Sequence, residues 1–110
     1  MTTARLFYDG DWICAFDVRG HSGYAREGED IVCAAVSAVA QATLIGLVEV
    51  LNLPVKHESD EKRGVLSVKI RSAGRESQIL LDTMKRALEA IANDYPDYLQ
   101  VIRGNGGNIA

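Results

Sequence analysis

GHSGYAREGEDIVCAAVSAVAQA, residues 20–42, decides how the chain is built. It passes abruptly from a loop with glycines at 20, 23 and 28 into an Ala-rich run with no charge between Asp30 and Glu49. The apolar run continues to Leu51, and Pro54 closes it. By length alone, residues 31–51 would be enough to span a bilayer. Ser37, Gln41, Thr43 and Glu49 interrupt them, however, and the first half of the run is rich in Ala. That pattern predicts a buried core helix from about Ile31 to Asn52 instead of a membrane span.

Working outward, residues 4–9 (ARLFYD) and 12–18 (WICAFDV) read as strands, and Asp9-Gly10 marks a tight hairpin between them. Alternation places Trp12, Cys14, Phe16 and Val18 on one face, taken as the core face, with Cys14 a small buried hydrophobe. Beyond Pro54, residues 55–58 and 64–71 read as a second hairpin around the polar turn Ser59–Arg63. Val65, Ser67, Lys69 and Arg71 alternate onto one face, and Leu66, Val68 and Ile70 onto the other. A second helix over about Arg75–Asn93 carries an apolar stripe of Leu80, Met84, Leu88 and Ile91. Tyr95-Pro96 ends it, Tyr98–Arg103 reads as a last strand, and Gly104–Ala110 as a frayed tail. Two hairpins, two helices and a final strand predict an α+β domain, with a mainly antiparallel sheet covered by the helices.

The chain has 110 residues, 47% of them apolar and 25% charged, which suits one domain with one core. Its formal charge is -3, and no basic run exceeds Lys62-Arg63. Scattered Lys and Arg argue against a direct nucleic-acid surface. Residues 1–20 lack the charged start and apolar block of an export signal, so Cys14 and Cys33 are expected to stay reduced in a cytoplasmic protein.

The chemistry concentrates at the loop–helix junction. Asp30 directly precedes the apolar run and reads as its N-cap, which places Cys33 at the third helical position. There the thiol leans back toward unpaired N–H groups and partial positive charge, which favour a thiolate. Asp30 opposes this as a second anion. His21, on the glycine-rich loop, is the candidate base that would complete a Cys–His pair. Helix-start N–H groups could serve an oxyanion. Asp30 could also orient His21, its two oxygens dividing the work. Ser37, one turn beyond Cys33, either supports the site or bonds back to the helix.

Plainer readings compete with this one. A lone Cys in an Ala-rich helix is usually packed and inert, and a lone loop His is usually solvated. Cys14, His21, Cys33 and His57 show none of the short spacings of a structural zinc site, so no metal is expected. GHSGYAREG lacks the Lys-Ser/Thr ending of a phosphate-binding loop, and an acidic cap would repel phosphate. No second Cys lies near Cys33 to resolve an oxidised sulfur.

The motif G-H-S-G-Y-A-x-x-G-x-D-I-V-C-A-A-V-S, residues 20–37, resembles the signature of the ribosomal-processing cysteine proteases (Prp, YsxB-like). The likeness extends over the paired strands before the motif, the second helix and Tyr95-Pro96. It implies an α+β homodimer without cofactor, and a cysteine endopeptidase that removes the N-terminal extension of a large-subunit ribosomal protein. By position it implies Cys33 as nucleophile and His21 as base, with Asp30 and Ser37 supporting. The loop bearing Gly20, Gly23 and Gly28 would close over the substrate. Ser22 departs from the family pattern, which often has Ala there, and the resemblance gives its hydroxyl no role. A second reading of the same residues is a ribosome-associated module that clamps a peptide without turnover.

Overall fold

The computed structural model describes residues 1–26 and 29–104. Strands β1 (Thr2–Asp9) and β2 (Trp12–Arg19) form the first hairpin. Gly10 makes the turn at φ +61°, the first central position, where a type II′ turn calls for glycine. The pairing slips by one residue partway along. Phe7 faces Ala15, but Tyr8 faces Ile13, so Cys14 is the extra residue of a β-bulge.

That bulge corrects the alternation read from sequence. Phe16 and Val18 do face the helices, but beyond the bulge it is Ile13, at 2% exposure, that joins the core. Trp12 is turned out at 42% exposure and Cys14 is only half-buried. The period of two holds along an unbroken strand, and one inserted residue reverses it. Burial, together with the nearby negative charge of Asp9, raises the pKa of the Cys14 thiol, which donates to the Phe7 carbonyl at 3.4 Å. Both cysteines are free, with no disulfide between them.

Three more strands complete the sheet: β3 (Val55–Asp60), β4 (Val65–Ile70) and β5 (Leu99–Arg103). Their order is β3-β4-β2-β1-β5, antiparallel throughout except that β5 runs parallel to β1. Helices α1 (Ile31–Ile45) and α2 (Arg75–Asp94) pack against each other and share the core with one face of this sheet. The α+β architecture is the one expected. Of the two faces separated by alternation on β4, the one with Leu66, Val68 and Ile70 is buried.

On α2 the buried line is Ser77, Leu81, Met84 and Leu88, with Leu80 and Ile91 only flanking it. The stripe is thus rotated slightly from the expected one. Ser77 can be buried because its hydroxyl closes the helix start, donating to the Gly74 carbonyl and accepting from its N–H, both at 2.9 Å. Gln78 ties the helix to the sheet. Its side-chain oxygen accepts from Ile13 N–H at 2.8 Å and its amide donates to the Ile13 carbonyl at 2.7 Å. Strand β4 ends opposite Ala15, so this side chain supplies the ladder bonds that β4 does not reach to make.

Helix α1 stops being α-helical at Ile45, and Gly46–Val50 form a π-helical turn instead of continuing to Asn52 as expected. Gly46 lies against α2, where a Cβ would come within 2.7 Å of Leu80 Cδ1. Leu51 N–H bonds back five residues to the Gly46 carbonyl, and Asn52 at φ +54° turns the chain out of the helix. Residues 31–50 are long and apolar enough to cross a membrane. In this fold Val32, Val36, Ala40 and Leu47 are instead core residues, while Ile31, Ile45, Val48 and Val50 stay exposed. Apart from Gly104, the predicted tail lies outside the described residues. Gly104 N–H is bonded to the Leu6 carbonyl at 2.7 Å.

Replacing Gln78 by Met keeps side-chain length but leaves the Ile13 amide and carbonyl without partners. Urea unfolding is expected to show a loss of about 1–3 kcal/mol, with an unchanged denaturant slope.

Candidate active site

The site is built where β2 ends and α1 begins. Asp30 adopts extended geometry, with φ -84° and ψ 102°, and caps α1. Its Oδ1 accepts from Cys33 N–H at 2.9 Å. Cys33 is therefore the third helical residue, with its sulfur half-buried at the helix start. The cap has a consequence for chemistry. The backbone N–H of the nucleophile candidate is already engaged, so any oxyanion donors at the helix start fall to the residues before it. Ile31 and Val32 supply N–H groups that make no hydrogen bond among the described residues.

The second carboxylate oxygen looks outward to the loop. Oδ2 accepts from the Ser22 hydroxyl at 2.5 Å, from Tyr24 N–H at 3.2 Å and from Ala25 N–H at 3.4 Å. The two oxygens do divide the work, but the second serves Ser22 and the loop backbone instead of orienting His21. Burial pushes the Asp30 pKa up. The hydrogen bonds from Ser22, Cys33 and Ala25 outweigh it and hold the pKa at about 2, below the usual 3.8. The carboxylate is thus a fixed anion at neutral pH.

The sequence gives Ser22 no role, yet it touches the Cys33 sulfur directly. Its N–H donates to Cys33 Sγ at 3.2 Å. A lone Ser in a Gly-rich loop gives no pattern from which this could be read. The only available signal was its place between the candidate base and the candidate cap.

His21 is exposed and its ring rests on the turn between β3 and β4. Its Nε2 donates to the Lys62 carbonyl at 3.3 Å. A carbonyl can only accept, so this bond puts the ring proton on Nε2 and leaves Nδ1 as the basic nitrogen. No hydrogen bond joins His21 to Cys33. The ring sits against Gly64, where a Cβ would come within 3.1 Å of His21 Cε1, and Gly64 is at φ +62°. The same turn holds the loop root, since Gly20 N–H donates to the Gly64 carbonyl at 2.9 Å.

Of the three loop glycines, Gly20 (φ +90°) and Gly23 (φ +77°) use conformations that other residues rarely adopt. Gly28 lies outside the described residues. Farther along the loop, Tyr24 packs edge-on against Tyr95 and Tyr98, with ring centroids 5.6 and 5.2 Å apart. Ser37 is exposed on α1 and makes no side-chain hydrogen bond among the described residues. The site as it stands is Cys33, Asp30 and Ser22 in mutual contact, with His21 one residue away. No group of metal-ligating side chains is present among the described residues.

Because the folded pKa of Asp30 lies below its ordinary value, its anion stabilises the fold above about pH 4, and that contribution is lost as pH falls toward about 2. The stability advantage of the wild type over Asp30→Asn, followed by chemical unfolding across that window, is expected to shrink steadily toward the acid end.

Comparison with known proteins fits this geometry. A family described as cysteine protease Prp matches residues 1–100. The ribosomal processing cysteine protease Prp of Bacillus subtilis (strain 168) is 29% identical over 94 residues, covering 81% of this chain and 84% of that protein. The crystal structure of the essential ribosomal processing protease Prp from S. aureus, with a covalently linked product peptide, is similar in fold at a TM-score of 0.88 and 23% identity. The match covers 94% of this chain and all (100%) of that one. SMU.848 from Streptococcus mutans is similar in fold at a TM-score of 0.81 and 21% identity, covering 94% and 93% of the two chains. The sulfur at a capped helix start, the loop laid across it and the match over nearly the full length lead to one conclusion: this chain belongs to the Prp family of cysteine proteases.

Proposed function

We propose that the protein cleaves the N-terminal segment of a large-subunit ribosomal protein, with Cys33 as nucleophile and His21 as general base. The observation that carries the reading is the 3.2 Å contact between Ser22 N–H and Cys33 Sγ. It lays the loop that bears His21 directly on the sulfur, so the ring needs only to leave the Lys62 carbonyl and turn about the flexible Gly20 and Gly23. The names of the relatives, a ribosomal processing protease and one holding a product peptide, support the substrate class.

In this reaction the unprotonated ring nitrogen of His21 accepts the thiol proton as Sγ attacks the scissile carbonyl carbon. The N–H groups of Ile31 and Val32 at the positive end of α1 stabilise the resulting oxyanion. Collapse of the tetrahedral species expels the amine, which takes the proton from the imidazolium. A water molecule, deprotonated by the same ring, then hydrolyses the thioester and restores the thiol. Closure of the loop over the peptide, about Gly20 and Gly23, excludes bulk water during these steps. Asp30 acts on the chemistry by fixing the helix start and the loop.

The protein works as a homodimer in the cytoplasm on this reading. Support for association is the outward apolar side of α1 and its continuation, where Ile31 and Ile45 are about half exposed, at 53% and 50%, and Val50 reaches 71%. The free thiols suit a reducing compartment.

Incubation with a peptide spanning the N-terminal extension of such a ribosomal protein, followed by intact mass measurement, tests the reading. Cys33→Ala and His21→Ala are each expected to reduce cleavage by at least about a thousand-fold while the fold persists. Undiminished cleavage by Cys33→Ala would overturn the assignment.

A further inference from the structure

Ser22 is the one buried side chain of the loop between Gly20 and Arg26, at 2% exposure, while its neighbours face solvent. Both of its polar groups are spent on the junction. The N–H donates to Cys33 Sγ, and the hydroxyl donates to Asp30 Oδ2 while accepting from Tyr24 N–H at 3.3 Å. Asp30 Oδ1 in turn holds Cys33 N–H. These contacts close a ring of Ser22, Cys33 and Asp30.

We propose that Ser22 is a positioning residue for the nucleophile: its hydroxyl fastens the loop to the helix cap so that its own N–H remains on the Cys33 sulfur. The inference rests on Cys33 being the reacting thiol and adds a residue that determines its reactivity. The physical reason is conformational freedom on both sides. Gly20 and Gly23 flank the residue, and both have positive φ. A loop this permissive would sample many positions of the Ser22 amide without a strong local tether. The hydroxyl is that tether, because a hydrogen bond to an ionised carboxylate is among the stronger ones and this carboxylate is buried.

Two effects on the sulfur follow. The amide held at 3.2 Å stabilises negative charge on Sγ directly. The hydroxyl also engages part of the Asp30 charge that would otherwise repel a thiolate. Ser22 is not itself an acid or base in the reaction, since its proton is committed to Asp30. Nor does it act merely as filler. Loss of the hydroxyl leaves Tyr24 and Ala25 N–H on Oδ2, at 3.2 and 3.4 Å, so the cap persists while the amide–sulfur contact loosens.

The test compares wild type, Ser22→Ala and Ser22→Thr as full chains. Iodoacetamide labelling without substrate, read by site-resolved mass spectrometry, gives the rates at Cys33 and at Cys14, the latter serving as internal reference. Ser22→Ala is expected to slow labelling of Cys33 about ten-fold and to leave Cys14 unchanged. On the ribosomal-protein peptide it is expected to lower kcat about ten-fold with KM within about two-fold. Ser22→Thr, which keeps the hydroxyl, is expected to restore both. Unchanged or faster labelling of Cys33 in a folded Ser22→Ala protein overturns the proposal, as does a folded Thr variant as slow as Ala. Slower labelling by Ser22→Ala in a protein that never cuts the peptide upholds the positioning role and removes the substrate. Efficient cutting by wild type and Ser22→Ala alike upholds the protease and removes the role of Ser22.

Discussion

One carboxylate organises the whole junction. Asp30 gives one oxygen to the helix, through Cys33 N–H, and the other to the loop, through Ser22, Tyr24 and Ala25. A buried anion is costly unless its lone pairs are filled, and here the protein fills them from both sides. The same bonds that keep the charge tolerable bring sulfur, loop and helix start together. Without this group, the helix would lose its cap and the loop its seat at the same time.

The loop is held by parts of the chain remote in sequence. Its root is bonded to Gly64 in the β3–β4 turn, His21 rests on Lys62 of that turn, and Tyr24 leans on Tyr95 and Tyr98 beyond α2. Thr2 also reaches it, donating its hydroxyl to the Gly20 carbonyl at 3.2 Å. The anchors are short-ranged and mostly exposed, unlike the Leu and Val core beneath. Such contacts can be exchanged at small cost, unlike buried apolar packing.

The rigid side of the site comes from packing. Helix α1 buries Val32 and Val36 in the core on either side of Cys33, so the sulfur cannot drift with respect to the sheet. Gly46 and the π-helical turn let α1 close on α2, and Gln78 fastens α2 to the bulged end of β2. An exposed loop bearing His21 is thus set against a firmly packed Cys33, a contrast that follows from where the apolar side chains fall.

Much of this was legible without coordinates. The loop-to-helix switch at Asp30, the capping carboxylate, the position of Cys33 and the two-faced alternation of β4 all depend on neighbours within about one turn, and local sequence carries them. Three features depended on distant partners. The bulge at Cys14 reversed the core face near Trp12 because register is set by the pairing with β1. The buried line of α2 shifted to Ser77 and Leu81 because the sheet and α1 choose which side is covered. His21 turned to the Lys62 carbonyl and Ser22 to the sulfur because the β3–β4 turn competes for the same loop. Sequence alone determined which chemical groups this protein owns and which helix end presents them. Only the tertiary structure decided which of those groups touch, since hydrogen bonds between segments far apart in the chain have no local pattern to announce them.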